Sequence, residues 1–194
     1  KAIFIDQAFL STLEKSEFDS GKAEMLKHGL IYSKDHWKEI KSNGLNLNLI
    51  INSIKIKQNI VDQDPKESGI RKILNFGHTF GHAFEGFFLG TEKQISHGHA
   101  VALGMLCESF LSEKFSGLSK NEFLEISNLI SSSYDLIPLN EVDFEAIFEL
   151  MLQDKKNRSG KIKCVLLENI GLAKFDIEIS KDDVFEVLNW YIKL

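Results

Sequence analysis

Proline is scarce: Pro65 and Pro138 are the only two in 194 residues. So few breakers over such a length favour helices. Cysteine is equally sparse. Cys107 and Cys164 follow no spacing pattern, which argues against a disulfide scaffold and fits a reducing compartment. No apolar run approaches the roughly 20 residues that span a bilayer. No basic run stands out and the net charge is -5, so nucleic acid and anionic membranes are not expected as main partners. No leader pattern opens the chain, and the cytoplasm is the expected location. A Gly-rich phosphate loop after a strand is missing too, as is any βαβ run. The chain starts Lys-Ala-Ile-Phe-Ile-Asp with no Met, which reads as a piece of a longer protein.

What is present is an ordinary globular composition, 43% apolar and 26% charged. That is enough chain for one substantial core. Short helices are expected over Gln7 to Leu13 and Asp35 to Ser42. Longer ones are expected over Phe18 to Ile31, with Asp19 and Ser20 as candidate caps, and over Leu45 to Val61. A loop follows from Asp62 to Gly69. Arg71 to Phe88 reads as one helix holding Gly77, Gly81 and Gly86, and three interior glycines suggest close packing against a backbone or a ligand. His97 to Phe115 is a helix stopped by Gly117, and Lys120 to Ser132 and Phe144 to Asp154 are two more. Lys161 to Ile179 reads as two short strands around Gly171, after which Ser180 caps a last helix. The expected fold is mainly α with one small hairpin.

Four of the six histidines fall between residues 71 and 99. His78 and His82 are four apart, so on a helix they share a face. Neutral imidazole is a common ligand for zinc and similar ions. A His-x-x-x-His pair alone is often coincidental. Here His97, His99, Arg71 and Asn75 accompany it. Thr79 follows the first His, where zinc proteases have Glu, so that chemistry is not indicated.

The stretch Arg-x-x-Leu-Asn-Phe-Gly-His-Thr-Phe-Gly-His-Ala-x-Glu, then His-Gly-x-Ala-Val-Ala-x-Gly-Met, closely resembles the 3-dehydroquinate synthase signature. Gly21 to Lys27 resembles the family's Gly-x-Ala-Glu-x-x-Lys segment. Lys57, Asp64 and Gly69-Ile70-Arg71 follow its next block, and Asp154-Lys155-Lys156 and Val165-Leu166-Leu167 with Ile170-Gly171 its last ones. The resemblance implies a multi-helical C-terminal domain over residues 1–194, preceded in the family by an NAD-binding α/β domain absent here.

It further implies that Glu24, His78 and His97 hold a divalent zinc or cobalt ion. His82 would act at the substrate, although spacing alone would make it the second ligand. Lys27 and Lys57 would serve beside it. Arg71, Asn75 and Lys155 would bind a small anionic sugar phosphate carrying a carboxylate, Lys155 being preferred over its neighbour Lys156. The implied reaction is a cyclisation with loss of phosphate that uses NAD and regenerates it. A homodimer is the family habit. His99 replaces the usual Glu two residues after His97. Two apart on a helix it need not touch the metal, and it reads as neutral variation rather than a changed support for the ligands. Another sugar-phosphate cyclase, such as one making deoxy-inosose or valiolone rings, or a non-catalytic helical relic, would share most of these features.

Overall fold

The computed structural model describes residues 6–153 and 161–194. Eight α-helices and a hairpin are seen among the described residues. They are α1 (Lys15–Tyr32), α2 (Lys34–Asn43), α3 (Leu47–Gln63), α4 (His78–Phe88), α5 (His97–Phe115), α6 (Lys120–Ser133), α7 (Phe144–Gln153), β1 (Ile162–Asn169), β2 (Leu172–Ile179) and α8 (Lys181–Tyr191). Short 3-10 turns cover Gln7–Thr12, Ile70–Asn75 and Glu141–Asp143. The fold is therefore mainly α with one antiparallel two-stranded sheet, as the sequence suggests. No helix among the described residues is long and apolar enough to cross a membrane.

Helix α5 is the axis. Residues 100–107 are all buried, so it is apolar on every face and must be surrounded. It packs against α1, α4, α6, α8 and β1. Its ends are written locally. The Ser96 hydroxyl accepts the His99 N–H at 3.3 Å, and Gly117 turns the chain away at φ +99°. Capping boxes at Ser119/Glu122 and Ser180/Asp183 start α6 and α8.

Two approaches of backbone to backbone set the site. A Cβ on Gly104 of α5 would lie 1.9 Å from the Gly77 carbonyl oxygen, so α4 meets α5 where only glycine fits. A Cβ on Gly98 would lie 2.1 Å from the Ser20 Cα, which seats α1 on the start of α5.

Three expectations need correcting. Arg71 to Phe88 is not one helix. The chain breaks at Phe76–Gly77, where Gly77 takes φ +79° and becomes the residue before α4. The close approach to Gly104 holds that turn. Gly86 is not tightly packed either, since its nearest neighbour, Leu150, leaves ordinary contact at 3.6 Å. Asp19 and Ser20 do not cap α1. The helix starts at Lys15, and both residues lie inside it, Ser20 donating back to the Ser16 carbonyl at 2.8 Å.

Candidate metal and substrate site

Helix starts place the imidazoles. His78 opens α4 and His97 opens α5, and the close crossing of the two helices lets the rings meet. His82 stands one turn into α4. The three rings converge: centroids are 5.3 Å apart for His78 and His82, 5.4 Å for His78 and His97, and 5.8 Å for His82 and His97. One nitrogen from each lies within 4.8 Å of the others. From α1, the Glu24 carboxylate faces them, with Oε1 3.9 Å from His78 Nε2. Glu24 also pairs with Lys27, Oε2 to Nζ at 2.7 Å.

The hydrogen bonds leave the right lone pairs open. His78 Nδ1–H donates to the Phe76 carbonyl at 3.1 Å. His97 Nδ1 lies 3.0 Å from Glu85 Oε2, and the natural assignment has Nδ1–H donating to that carboxylate. Each ring then offers Nε2 as a ligand atom, oriented by a carbonyl or carboxylate behind it. Burial, with Lys27 adding, pushes the His78 pKa down to about 2, so the ring is neutral near neutral pH. Burial alone would raise the Glu24 carboxyl. The Lys27 charge and hydrogen bond, aided by His28 and Lys57, outweigh it and hold Glu24 below its ordinary value. A neutral imidazole and an ionised carboxylate fit a divalent cation.

Glu24, Lys27, Lys57, Arg71, Asn75, His78 and His97 all line one cleft of about 360 Å³. Lys27 is only 3% exposed. Asp64 organises the loop before Arg71 by accepting the N–H groups of Ser68, Gly69 and Arg71 at 3.1, 2.7 and 3.2 Å. Arg71 then donates Nη1–H to the Pro65 carbonyl at 2.9 Å. His82 does not line this cleft but joins it through the ring cluster. Two ligand triads are thus possible, and both contain His78 and His97. Lys155 lies outside the described residues.

His99 points elsewhere. Its Nε2–H donates to the Asp135 carbonyl at 2.7 Å, and its ring packs beside Tyr134. Sequence reasoning overlooked Glu67 and gave Glu85 no role. Glu67 accepts a hydrogen bond from Asn75 Nδ2 at 2.8 Å and lies 4.0 Å from Arg71 Nε, holding a carboxylate where an anion would sit. Only its place in an acidic loop before Arg71 hinted at this. Glu85 stood three residues after His82 in the quoted motif, which was its one signal.

Comparison with known proteins identifies the family. The family model described as 3-dehydroquinate synthase C-terminal matches residues 21–157. A 3-dehydroquinate synthase of Parabacteroides distasonis is 39% identical over 97% of this chain and 56% of its own length. That of Thermodesulfovibrio yellowstonii is 37% identical over 96% of this chain and 54% of its own. The chain spans about half the length of these relatives. Among solved structures, a Streptomyces hygroscopicus 2-epi-5-epi-valiolone synthase with bound NAD+ and Zn2+ superposes with a TM-score of 0.81 at 21% identity, over 97% of this chain and 55% of that one. A 2-deoxy-scyllo-inosose synthase complexed with carbaglucose-6-phosphate, NAD+ and Co2+ gives 0.78 at 23%, over 95% and 54%. At such identities these two show a shared fold.

Proposed function

Because this chain belongs to the 3-dehydroquinate synthase family, we propose that it is the metal- and substrate-binding part of such an enzyme. The reaction would convert 3-deoxy-D-arabino-heptulosonate 7-phosphate to 3-dehydroquinate and phosphate. The observation that carries this reading is the convergence of Glu24, His78 and His97, from α1, α4 and α5, on a cleft that also holds Lys27, Lys57, Arg71 and Asn75. Glu24, His78 and His97 would hold zinc or cobalt. When bound, that ion would supply Lewis-acid polarisation of a substrate oxygen.

The chain's own residues do the rest. Arg71 and Asn75 bind anionic oxygen on the substrate after it displaces the Glu67 carboxylate. Arg71 suits this by its forked donors. Lys27 and Lys57 add positive charge beside Arg71 in the same cleft. His82 hydrogen-bonds the substrate and passes protons through a ring nitrogen. Lys155 would join them at the substrate. The described residues contain no strand-loop-helix unit suited to a dinucleotide. NAD is therefore assigned to an additional α/β domain, consistent with relatives about twice as long. Alone, these 194 residues would bind metal weakly and turn over no substrate.

The curated relatives favour the heptulosonate phosphate over the substrates of the two fold neighbours. The test is a phosphate-release assay on the full-length polypeptide with NAD and cobalt, alongside metal analysis of wild type and His78→Ala. Expected are one ion per chain, loss of that ion in the variant, and turnover of the heptulosonate phosphate. Turnover of a different sugar phosphate alone would reassign the substrate. A metal content untouched by His78→Ala would remove the site.

A further inference from the structure

Glu108 carries a carboxyl group in the middle of α5, the most buried helix, and is itself fully buried. It does not line the metal cleft, and the reaction outlined above gives it no task. Its two oxygens instead reach 31 and 29 residues back along the chain. Oε2 accepts the Gly77 N–H at 2.7 Å, and Oε1 accepts the Thr79 N–H at 3.1 Å. These are the residues on either side of His78.

The first amides of a helix have no partner within it. Gly77 offers α4 no side-chain cap. One carboxylate from α5 meets that need, and a negative charge there also suits the helix dipole. The turn is held from its other side as well, because the Gly77 carbonyl rests on Gly104, where a Cβ would sit 1.9 Å away. His78 Nδ1 is tied to the Phe76 carbonyl of the same turn. The backbone of His78 and the Phe76 carbonyl that orients its ring therefore both belong to the segment that Glu108 grips. The grip is itself anchored: the Ser112 hydroxyl donates to the Glu108 carbonyl at 2.6 Å and accepts the Leu167 N–H of β1 at 2.8 Å.

We infer that Glu108 is a positioning residue for the metal site, fixing the direction of the His78 Nε2 lone pair through the two amides that flank it. This rests on His78 being a ligand, and the experiment separates the two ideas. Glu108→Gln, Glu108→Asp and His78→Ala are made in the full-length polypeptide. Cobalt affinity is measured by competition titration, and the cobalt d–d absorption spectrum is recorded. Gln keeps the volume but turns a donor toward one amide. Asp keeps the charge but is one methylene too short for both. Cobalt affinity should fall about 10–100-fold in Glu108→Gln, as for other groups that orient metal ligands. It should fall less in Glu108→Asp, and the d–d band should shift in both. A purely structural role would lower thermal stability and leave that band in place.

Affinity and spectrum unchanged in Glu108→Gln, while His78→Ala abolishes binding, would overturn the inference alone. Unchanged binding in His78→Ala would remove the ligand reading and the inference with it. If the Gln variant does not fold, the Asp variant decides by the same measures. In wild type the Gly77 and Thr79 amides should exchange slowly with deuterium, and rapid exchange at either would overturn the inference without any variant.

Discussion

The cleft has two walls of different build. The imidazole wall, α4 on α5, is backbone against backbone at Gly104, and its turn is clamped by Glu108. In the cation wall, Lys27 and Lys57 on α1 and α3 with Arg71 on the 3-10 turn, the backbone of α1 is seated on α5 at Gly98 but the charged groups are held by side chains: Glu24 to Lys27, Glu67 near Arg71, and His28 to Ser53 at 2.6 Å. The difference suits the role proposed for each wall. A metal demands ligand atoms fixed within fractions of an ångström. Anionic oxygens accept long side chains that can adjust, provided the charge is there.

The sharpest way to break the comparison is Gly104→Ala. The new methyl meets a backbone carbonyl that cannot rotate away. We expect a loss of about 3 kcal/mol or more in denaturant unfolding, at the upper end for overpacking, together with loss of metal binding. A milder loss, with cobalt still bound normally, would show that the wall yields.

Acid should attack the back of the cation wall next. His28 is buried, and burial, with Lys27 adding, pushes its pKa down to about 3. The unfolded chain takes up that proton near pH 6.5. Between these values the unfolded state binds the extra proton, so stability is complete above about 6.5 and is lost as pH falls toward 3. From pH 7.5 to 5 the loss from this group should be about 2 kcal/mol. His78 contributes with the same sign. Urea melts of metal-free protein across that range, compared with His28→Gln, check it; an equal slope in the variant would acquit His28.

The smallest effect is the counterpart on α1. A Cβ added at Gly21 would meet nothing within 4 Å, so Gly21→Ala should stabilise by roughly 0.5–1 kcal/mol through backbone entropy. A destabilised variant would mean that this wall is packed as tightly as the other.

Much of this was legible because it was local. Ser96 and Gly117 bracket α5, and Ser180 with Asp183 opens α8, so those ends could be read directly. The i,i+4 spacing of His78 and His82 correctly put two rings on one face. The break at Gly77 was not legible, because its cause is Gly104, a partner 27 residues later in the numbering. The start of α1 was missed for the opposite reason: Glu14 caps it with no side-chain bond, so no residue type announces it, whereas Asp19 and Ser20 look like caps anywhere. Spacing could not tell that His97 would meet the other two rings, since a loop's length does not set its direction. Glu108 left one trace, a carboxylate inside Ala100 to Leu111, where every other charge is missing.

The hairpin tip carries a consequence for how the molecule is made. The Gly171 N–H donates to the Leu30 carbonyl at 2.8 Å, beside Lys34 at the corner between α1 and α2. A growing chain delivers α1 well over a hundred residues before the group that fastens it. On the ribosome, α1 can seat on α5 well before the hairpin emerges, but the corner between α1 and α2 stays without this last fastening until it does, so a chain stalled before Gly171 would leave that corner open to chaperones and proteases.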